Sequence, residues 1–143
     1  MIAGNGFEKA GENGLKGAAM DQKKVLLVDD ETAFLLSARK VLEGPDLSID
    51  TVDNFEAAIE MIDSRHYDIV VTDIRLTDVT SREGMDILRY VTERHPGTRV
   101  ILLTGYGSPE IMEKAYAMGA VNYLEKPLSG SILKSILKNA RCG

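Results

Sequence analysis

Disulfide bonds are excluded by the cysteine content. The 143-residue sequence contains a single cysteine, Cys142, so no internal disulfide can form. No histidine or second cysteine lies near it at the spacing of a zinc site. The lack of a disulfide framework favours a reducing compartment, and we therefore expect a cytoplasmic protein.

Long apolar segments are also missing. The longest unbroken apolar runs, such as Val25–Val28 and Val100–Leu103, contain four residues each, whereas a membrane-spanning helix needs about 20. The N-terminus has no apolar stretch of the kind found in secretory signals. The sequence therefore predicts neither export nor a membrane partner.

An excess of basic residues is absent as well. Lysine and arginine total 17 against 22 aspartates and glutamates, which gives a formal net charge of -5 at pH 7. Proteins that bind nucleic acid do so largely through basic surfaces, so this balance argues against direct nucleic-acid binding. A carboxylate metal site would account for part of the acidic excess, and so would an ordinary soluble surface.

The first 22 residues differ in composition from the rest of the chain. Apolar residues are sparse there, and five glycines interrupt any helical period: Gly4, Gly6, Gly11, Gly14 and Gly17. Such a segment cannot bury much apolar surface, so we expect residues 1–22 to form a flexible tail. Residues 23–141 are predicted to form a single domain.

Within residues 23–141, short apolar runs alternate with amphipathic stretches. The runs are rich in β-branched residues, as in strands buried on both faces of a parallel sheet. They are Val25–Val28, Ile49–Val52, Ile69–Val71, Val100–Leu103 and Val121–Leu124. Each is followed by a stretch with apolar residues at helical spacing. This pattern predicts a (βα)₅ domain, a doubly wound three-layer α/β sandwich.

Ligands of such sheets bind outside the carboxyl ends of the strands. The residues at those ends are Asp29, Asp30, Asp53, Asp73, Thr104 and Lys126. Several carboxylates meeting at one edge repel one another unless a cation lies among them, and oxygen ligands suit magnesium better than zinc. An alternative is that Asp29 or Asp30 only caps the helix that begins near Glu31.

The same edge has the groups needed to form an acyl phosphate. An ionised aspartate can attack a phosphoryl group once a metal and a cation neutralise the phosphate oxygens. Asp73 would be the nucleophile, Lys126 the cation and Thr104 a hydroxyl donor. A general base is not required, because the carboxylate is already deprotonated at pH 7.

Four segments together resemble the receiver domain of two-component response regulators. They are Val-Leu-Leu-Val-Asp29-Asp30-Glu31, Ile-Val-Val-Thr-Asp73, Val-Ile-Leu-Leu-Thr104-Gly and Ala-Val-Asn-Tyr123-Leu-Glu-Lys126-Pro127. The resemblance runs from about Lys23 to Arg141. It implies a flavodoxin-like fold like that of the chemotaxis regulators, with a five-stranded parallel sheet in the order 2-1-3-4-5.

The resemblance also implies a role for each matching residue. Asp73 corresponds to the phosphoacceptor, and Asp29 and Asp30 to the acidic pair that holds Mg²⁺ together with Asp73. Arg75 corresponds to the position whose backbone carbonyl also binds the metal. Lys126 corresponds to the phosphate-binding lysine.

Two further residues match the conformational switch of the family. Thr104 corresponds to the hydroxyl that moves toward the phosphate, and Tyr123 to the aromatic residue that swings inward behind it. The peptide bond between Lys126 and Pro127 is expected to be cis, which is rare outside X-Pro bonds.

The implied function is a phosphorylation-activated signalling switch. A histidine kinase or a histidine phosphotransfer protein would supply the phosphoryl group. The face formed by the fourth helix, fifth strand and fifth helix would then be re-presented to a partner or an output domain. Such a protein catalyses only its own phosphorylation and dephosphorylation. Homodimerisation, the output and a choice between a stand-alone receiver and part of a larger regulator stay open.

The loop after Asp73 departs from the family pattern. It has no proline, and its glycine, Gly84, comes eleven residues after Asp73, three later than usual. We hypothesise that Arg75 and the loop through Glu83 tune the phosphate lifetime by controlling the approach of water.

Two alternative functions belong to other classes. A phosphatase of the haloacid dehalogenase type also uses an aspartyl phosphate, but its nucleophile normally opens an Asp-x-Asp motif on the first strand. Here Asp29 and Asp30 are adjacent, and the favoured nucleophile follows the third strand. A constitutive interaction module that never turns over phosphate is the other alternative, and the complete set of acidic, hydroxyl and lysine residues argues against it.

Overall fold

The computed structural model describes residues 22–76 and 81–140. The predicted N-terminal tail lies outside the described residues except for Gln22, and so does Cys142. Residues 77–80 of the lengthened loop lie outside them too.

Within the described residues, five strands alternate with five helices. The strands are β1 (Lys23–Val28), β2 (Leu47–Val52), β3 (Ile69–Thr72), β4 (Arg99–Thr104) and β5 (Asn122–Glu125). The helices are α1 (Thr32–Leu42), α2 (Phe55–Ser64), α3 (Glu83–Arg94), α4 (Pro109–Ala117) and α5 (Gly130–Asn139). The predicted (βα)₅ alternation is confirmed.

The strands form one parallel sheet in the order β2-β1-β3-β4-β5. Val28 at the end of β1 pairs with Val52 of β2 and with Thr72 of β3. The carboxyl ends of β1, β2 and β3 therefore lie level with one another. The predicted order 2-1-3-4-5 is confirmed, and the chain order reverses between β1 and β3, where ligands of such sheets bind.

Alternate residues of the central strands enter two separate cores. Leu26, Val70 and Leu102 pack with α2, α3 and α4 on one face. Leu27 and Val71 pack with α1 and α5 on the other. Both faces of the sheet are therefore covered by helices, which explains why the strands appear in the sequence as unbroken apolar runs.

Local sequence signals define both ends of α4. The Ser108 side chain accepts a hydrogen bond from the Ile111 amide (3.2 Å), and Pro109 occupies the first turn. Gly119 follows the helix with φ of 113°, a conformation that glycine adopts without the steric cost of a Cβ. A capping serine with a proline at the start and a glycine after the end therefore fix the length of α4.

The start of α1 contradicts the capping alternative for Asp29 and Asp30. The residue at the N-cap position is Glu31, and no side chain caps the helix. Instead, the Asp29 carboxylate accepts a hydrogen bond from the Glu31 amide (2.9 Å). Among the described residues, no helix is both long enough and apolar enough to cross a membrane.

Candidate functional site

Three carboxylates meet at the carboxyl ends of β1 and β3. The Asp29 amide bonds to the carbonyl of Val52 (3.2 Å), and the Asp73 amide bonds to that of Val28 (3.0 Å), so each aspartate continues its strand by one residue. Asp29 and Asp73 are only 2% and 3% exposed, whereas Asp30 is exposed. One oxygen from each of the three lies within 4.8 Å of the others. An all-oxygen set with an open side suits a hard divalent cation.

Lys126 supplies positive charge to this cluster. Its ammonium nitrogen lies 2.6 Å from Asp29 Oδ2, 3.1 Å from Asp73 Oδ2 and 3.0 Å from Glu31 Oε1. The Lys126 side chain is 17% exposed. The Lys126 amide bonds to the carbonyl of Thr104 (3.0 Å), and the Lys126–Pro127 peptide bond is cis. A lysine directly after β5 thereby bridges carboxylates that follow β1 and β3.

Burial and hydrogen bonding to charged partners shift the pKa values of Asp29 and Lys126 in opposite directions. Burial raises the pKa of Asp29 above its ordinary value, against hydrogen bonds from Lys126 and the Glu31 amide that lower it. For Lys126, burial by itself lowers the pKa, but hydrogen bonds to Asp29 and Glu31 outweigh it and raise the pKa. The lysine therefore stays charged at neutral pH.

The backbone around Asp73 holds its carboxylate in place. Asp73 Oδ1 accepts hydrogen bonds from the amides of Ile74 (2.6 Å) and Arg75 (3.4 Å). Gly84, at the start of α3, packs directly on this backbone. A Cβ at position 84 would lie 2.6 Å from Ile74 Cα and even closer to the Asp73 carbonyl oxygen. The late glycine of the lengthened loop thus allows α3 to approach the proposed acceptor.

Arg75 contacts the loop that follows β4. Its guanidinium carbon lies 4.3 Å from the centre of the Tyr106 ring, within the range of a cation–π contact. The two residues each come two positions after a strand-end residue, Asp73 and Thr104. This contact joins the lengthened loop to the β4–α4 loop at the carboxyl ends of the strands, where the acidic cluster lies.

The two predicted switch residues are both buried. The Thr104 hydroxyl accepts a hydrogen bond from the Tyr106 amide (3.1 Å), so it is engaged with its own loop. Tyr123 is 8% exposed. Burial raises the pKa of the Tyr123 hydroxyl above its ordinary value.

The structure also brings in residues that sequence reasoning missed. Glu31 completes the carboxylate set around Lys126, and Phe34 lies beneath the ammonium group with its ring centre 4.9 Å away. The run of three acidic residues after β1 was a signal for Glu31, whereas no local signal pointed to Phe34. Asp53 lies outside the acidic cluster of Asp29, Asp30 and Asp73; it is exposed, and its carboxylate accepts a hydrogen bond from Asn54.

Comparisons with known proteins identify the family of the chain. The family model of the response regulator receiver domain matches residues 25–138. The response regulator protein PilR of Pseudomonas aeruginosa is 31% identical over 121 residues, which cover 85% of this chain and 26% of PilR.

Solved structures show the same fold. A CheY-like response regulator receiver domain protein from Methanospirillum hungatei is 27% identical, with a TM-score of 0.75 over 82% of this chain and 91% of that one. The BeF3-activated receiver domain of DrrB, from Thermotoga maritima, is 29% identical, with a TM-score of 0.71 over 82% and 95% of the two chains.

The chain belongs to the response regulator receiver domain family. Domains of this family are signalling switches of two-component systems rather than metabolic enzymes, and response regulators receive signals from histidine kinases. The family match decides against a phosphatase of the haloacid dehalogenase type. The chain spans between 26% and 61% of the length of three curated relatives that it matches.

Proposed function

We propose that this chain is a phosphorylation-activated switch that accepts a phosphoryl group on Asp73. The donor is a phosphohistidine of a histidine kinase or of a histidine phosphotransfer protein. The observation that carries the proposal is the position of the Lys126 ammonium, within 3.1 Å of carboxylate oxygens of both Asp29 and Asp73. Two buried anions and one cation at a sheet edge are the charges that a phosphoryl acceptor requires.

The acidic cluster fits a magnesium ion. Asp29, Asp30 and Asp73 would hold it, with the backbone carbonyl of Arg75 as a further ligand. The donor set contains oxygen alone, as Mg²⁺ prefers. When bound, Mg²⁺ supplies positive charge that neutralises phosphate oxygens.

The chain's own residues perform the transfer. A carboxylate oxygen of Asp73 attacks phosphorus, the bond between phosphorus and the donor nitrogen breaks, and the electron pair stays on the imidazole. Lys126 turns from the carboxylates to the phosphoryl oxygens, and Thr104 donates its hydroxyl hydrogen to another of them. The amides of Ile74 and Arg75 keep the Asp73 carboxylate oriented during the attack.

Phosphorylation then changes the face formed by α4, β5 and α5. Rotation of Thr104 toward the phosphate and the inward position of Tyr123 couple the site to this face. Exposed large apolar residues support its role as an interaction surface. They are Met112 and Tyr116 on α4 and Val121 directly before β5. A coupling free energy of ~1–3 kcal/mol would change partner affinity about 5- to 150-fold.

The partners of this face follow from the family only in outline. A stand-alone receiver would bind a partner protein, form a homodimer or pass the phosphoryl group to a histidine phosphotransfer protein. A receiver within a larger regulator would control an attached output domain. In either case we assign the receiver to residues 23–141, and the protein works in the cytoplasm without binding nucleic acid through this domain.

Intact mass after treatment with acetyl phosphate tests the proposal. We expect one phosphoryl group on the wild-type chain when Mg²⁺ is present, none when EDTA replaces Mg²⁺, and none on Asp73→Asn. The adduct should decay on standing, because an acyl phosphate hydrolyses in water.

A conservative control separates the nucleophile from the rest of the acidic surface. Asp68→Asn removes a carboxylate at the opposite end of β3 and should take up phosphoryl as the wild type does. An adduct that survives in Asp73→Asn would place the nucleophile elsewhere. No adduct on the wild type would favour the constitutive interaction module.

A further inference from the structure

The side chain of Tyr123 fills the space that a side chain at position 107 of the β4–α4 loop would need. Gly107 lies in that loop, and a Cβ built on it would come within 2.6 Å of Tyr123 Cζ and closer still to the tyrosine hydroxyl. Real Cβ atoms do not approach other heavy atoms so closely. The inward position of Tyr123 therefore depends on the absence of a side chain at position 107.

The hydroxyl of Tyr123 contributes little to holding this position. It is shielded from water, and among the described residues it makes no hydrogen bond of ordinary geometry. A weak hydrogen bond with the backbone of Ser108 lowers its pKa against the larger effect of burial, which raises it. The ring is therefore held inward mainly by its packing against the loop.

Only one of the two predicted switch residues occupies the position that the switch would have after activation. Tyr123 is inward and 8% exposed, whereas the Thr104 hydroxyl is bonded to the Tyr106 amide of its own loop. The space beside Gly107 accommodates the inward ring while the Thr104 hydroxyl stays bonded to its own loop.

We infer that Gly107 is a positioning residue that sets the inward position of Tyr123. This inference rests on the proposed switch role of Tyr123 and names the residue that controls it. A side chain at position 107 forces the ring out toward the exposed face beside α4. Phosphorylation would then have to act on a tyrosine that no longer fits behind Thr104.

Alanine at position 107 is a clean perturbation. Among the described residues, the one glycine with a positive φ is Gly119, so the backbone at Gly107 accepts alanine without strain. Gly105 provides a matched control in the same loop. A Cβ there would meet nothing closer than Lys126 Cβ at 3.8 Å, an ordinary van der Waals contact.

The test is the solvent exposure of the Tyr123 ring by NMR. The paramagnetic relaxation that a soluble gadolinium chelate causes at the ring protons is compared in the wild type, Gly107→Ala and Gly105→Ala. In Gly107→Ala we expect the exposed fraction to rise about five-fold, from 8% toward the 45% of Tyr116, by a rotamer change. Gly105→Ala should leave Tyr123 as buried as in the wild type. A ring that stays buried in Gly107→Ala would overturn the inference.

A second variant keeps the test decisive if Gly107→Ala does not fold. Gly107→Ala combined with Tyr123→Ala removes the ring that the new methyl group meets. Recovery of the fold in the double variant would support the inference, and continued unfolding would refute it.

Phosphorylation is measured separately in the same samples by intact mass with acetyl phosphate and Mg²⁺. Gly107→Ala should still accept one phosphoryl group, and its Tyr123 ring should stay exposed afterwards. A wild-type chain that takes up no phosphoryl group would defeat the proposed function. The ring measurement would then still decide whether position 107 positions Tyr123.

Discussion

Replacing Lys126 by methionine tests how the acidic cluster is held together. Methionine keeps most of the apolar stem of the side chain but removes the ammonium group that lies 2.6 Å from Asp29 and 3.1 Å from Asp73. Both carboxylates are almost fully buried and would face each other without a cation. Removing one partner of a buried ion pair costs roughly 3–5 kcal/mol of folding free energy.

Protonation of one aspartate limits this cost. An aspartate in the unfolded chain has a pKa of about 3.9, and each pH unit above it costs about 1.4 kcal/mol to keep the carboxyl neutral. The upper limit is therefore about 4 kcal/mol at pH 7 and about 1.5 kcal/mol at pH 5. We expect Lys126→Met to lose about 3–4 kcal/mol relative to the wild type at pH 7 and about 1–1.5 kcal/mol at pH 5.

The sign of this pH dependence follows from the pKa values. In the variant, the folded state holds a carboxyl whose pKa is raised, so it binds more protons than the unfolded state between about pH 4 and pH 7. The stability of Lys126→Met therefore falls as the pH rises. In the wild type, the pKa of Lys126 is raised, so its contribution is complete below the ordinary lysine value and is lost only above it.

Urea unfolding in EDTA at pH 5 and pH 7 measures both losses. Lys138→Met is the matched control, because Lys138 is an exposed lysine paired 3.2 Å from the exposed Asp46. Such a surface pair contributes about 0–1 kcal/mol. If Lys126→Met lost no more stability than Lys138→Met at pH 7, or lost the same amount at both pH values, the electrostatic account of the cluster would be wrong.

Three further predictions concern the loops. Gly84→Ala should lower the free energy of unfolding by about 1–3 kcal/mol and reduce phosphorylation, because its Cβ would lie 2.6 Å from Ile74 Cα. Urea unfolding and intact mass measure the two effects, and wild-type values in both would contradict the prediction. Arg75→Ala should speed decay of the aspartyl phosphate about 2- to 5-fold by removing the cation–π contact with Tyr106, and an unchanged decay rate would refute it. Ser108→Ala should cost about 1 kcal/mol through loss of the α4 N-cap, and an unaltered urea midpoint would exclude that role.

The fold could be predicted from the sequence because its signals are local. Unbroken apolar runs such as Val25–Val28 mark strands covered on both faces, and caps such as Ser108 mark where helices begin. The positions of Asp29, Asp73, Thr104 and Lys126 directly after four of the strands indicated the kind of chemistry as well, since parallel strands present their carboxyl ends at one edge. Each apolar run, each cap and each strand-end residue is recognised from its neighbours in the chain.

The contacts that shape the site depend on residues far apart in the chain, and the tertiary structure alone decided them. Asp53 also follows a strand, but its side chain lies outside the acidic cluster. Glu31 joins Lys126 across 95 residues, and Gly107 makes room for Tyr123. Side-chain contacts of this kind are set by how strands and helices pack against each other. The type and spacing of residues within one segment do not reveal that packing.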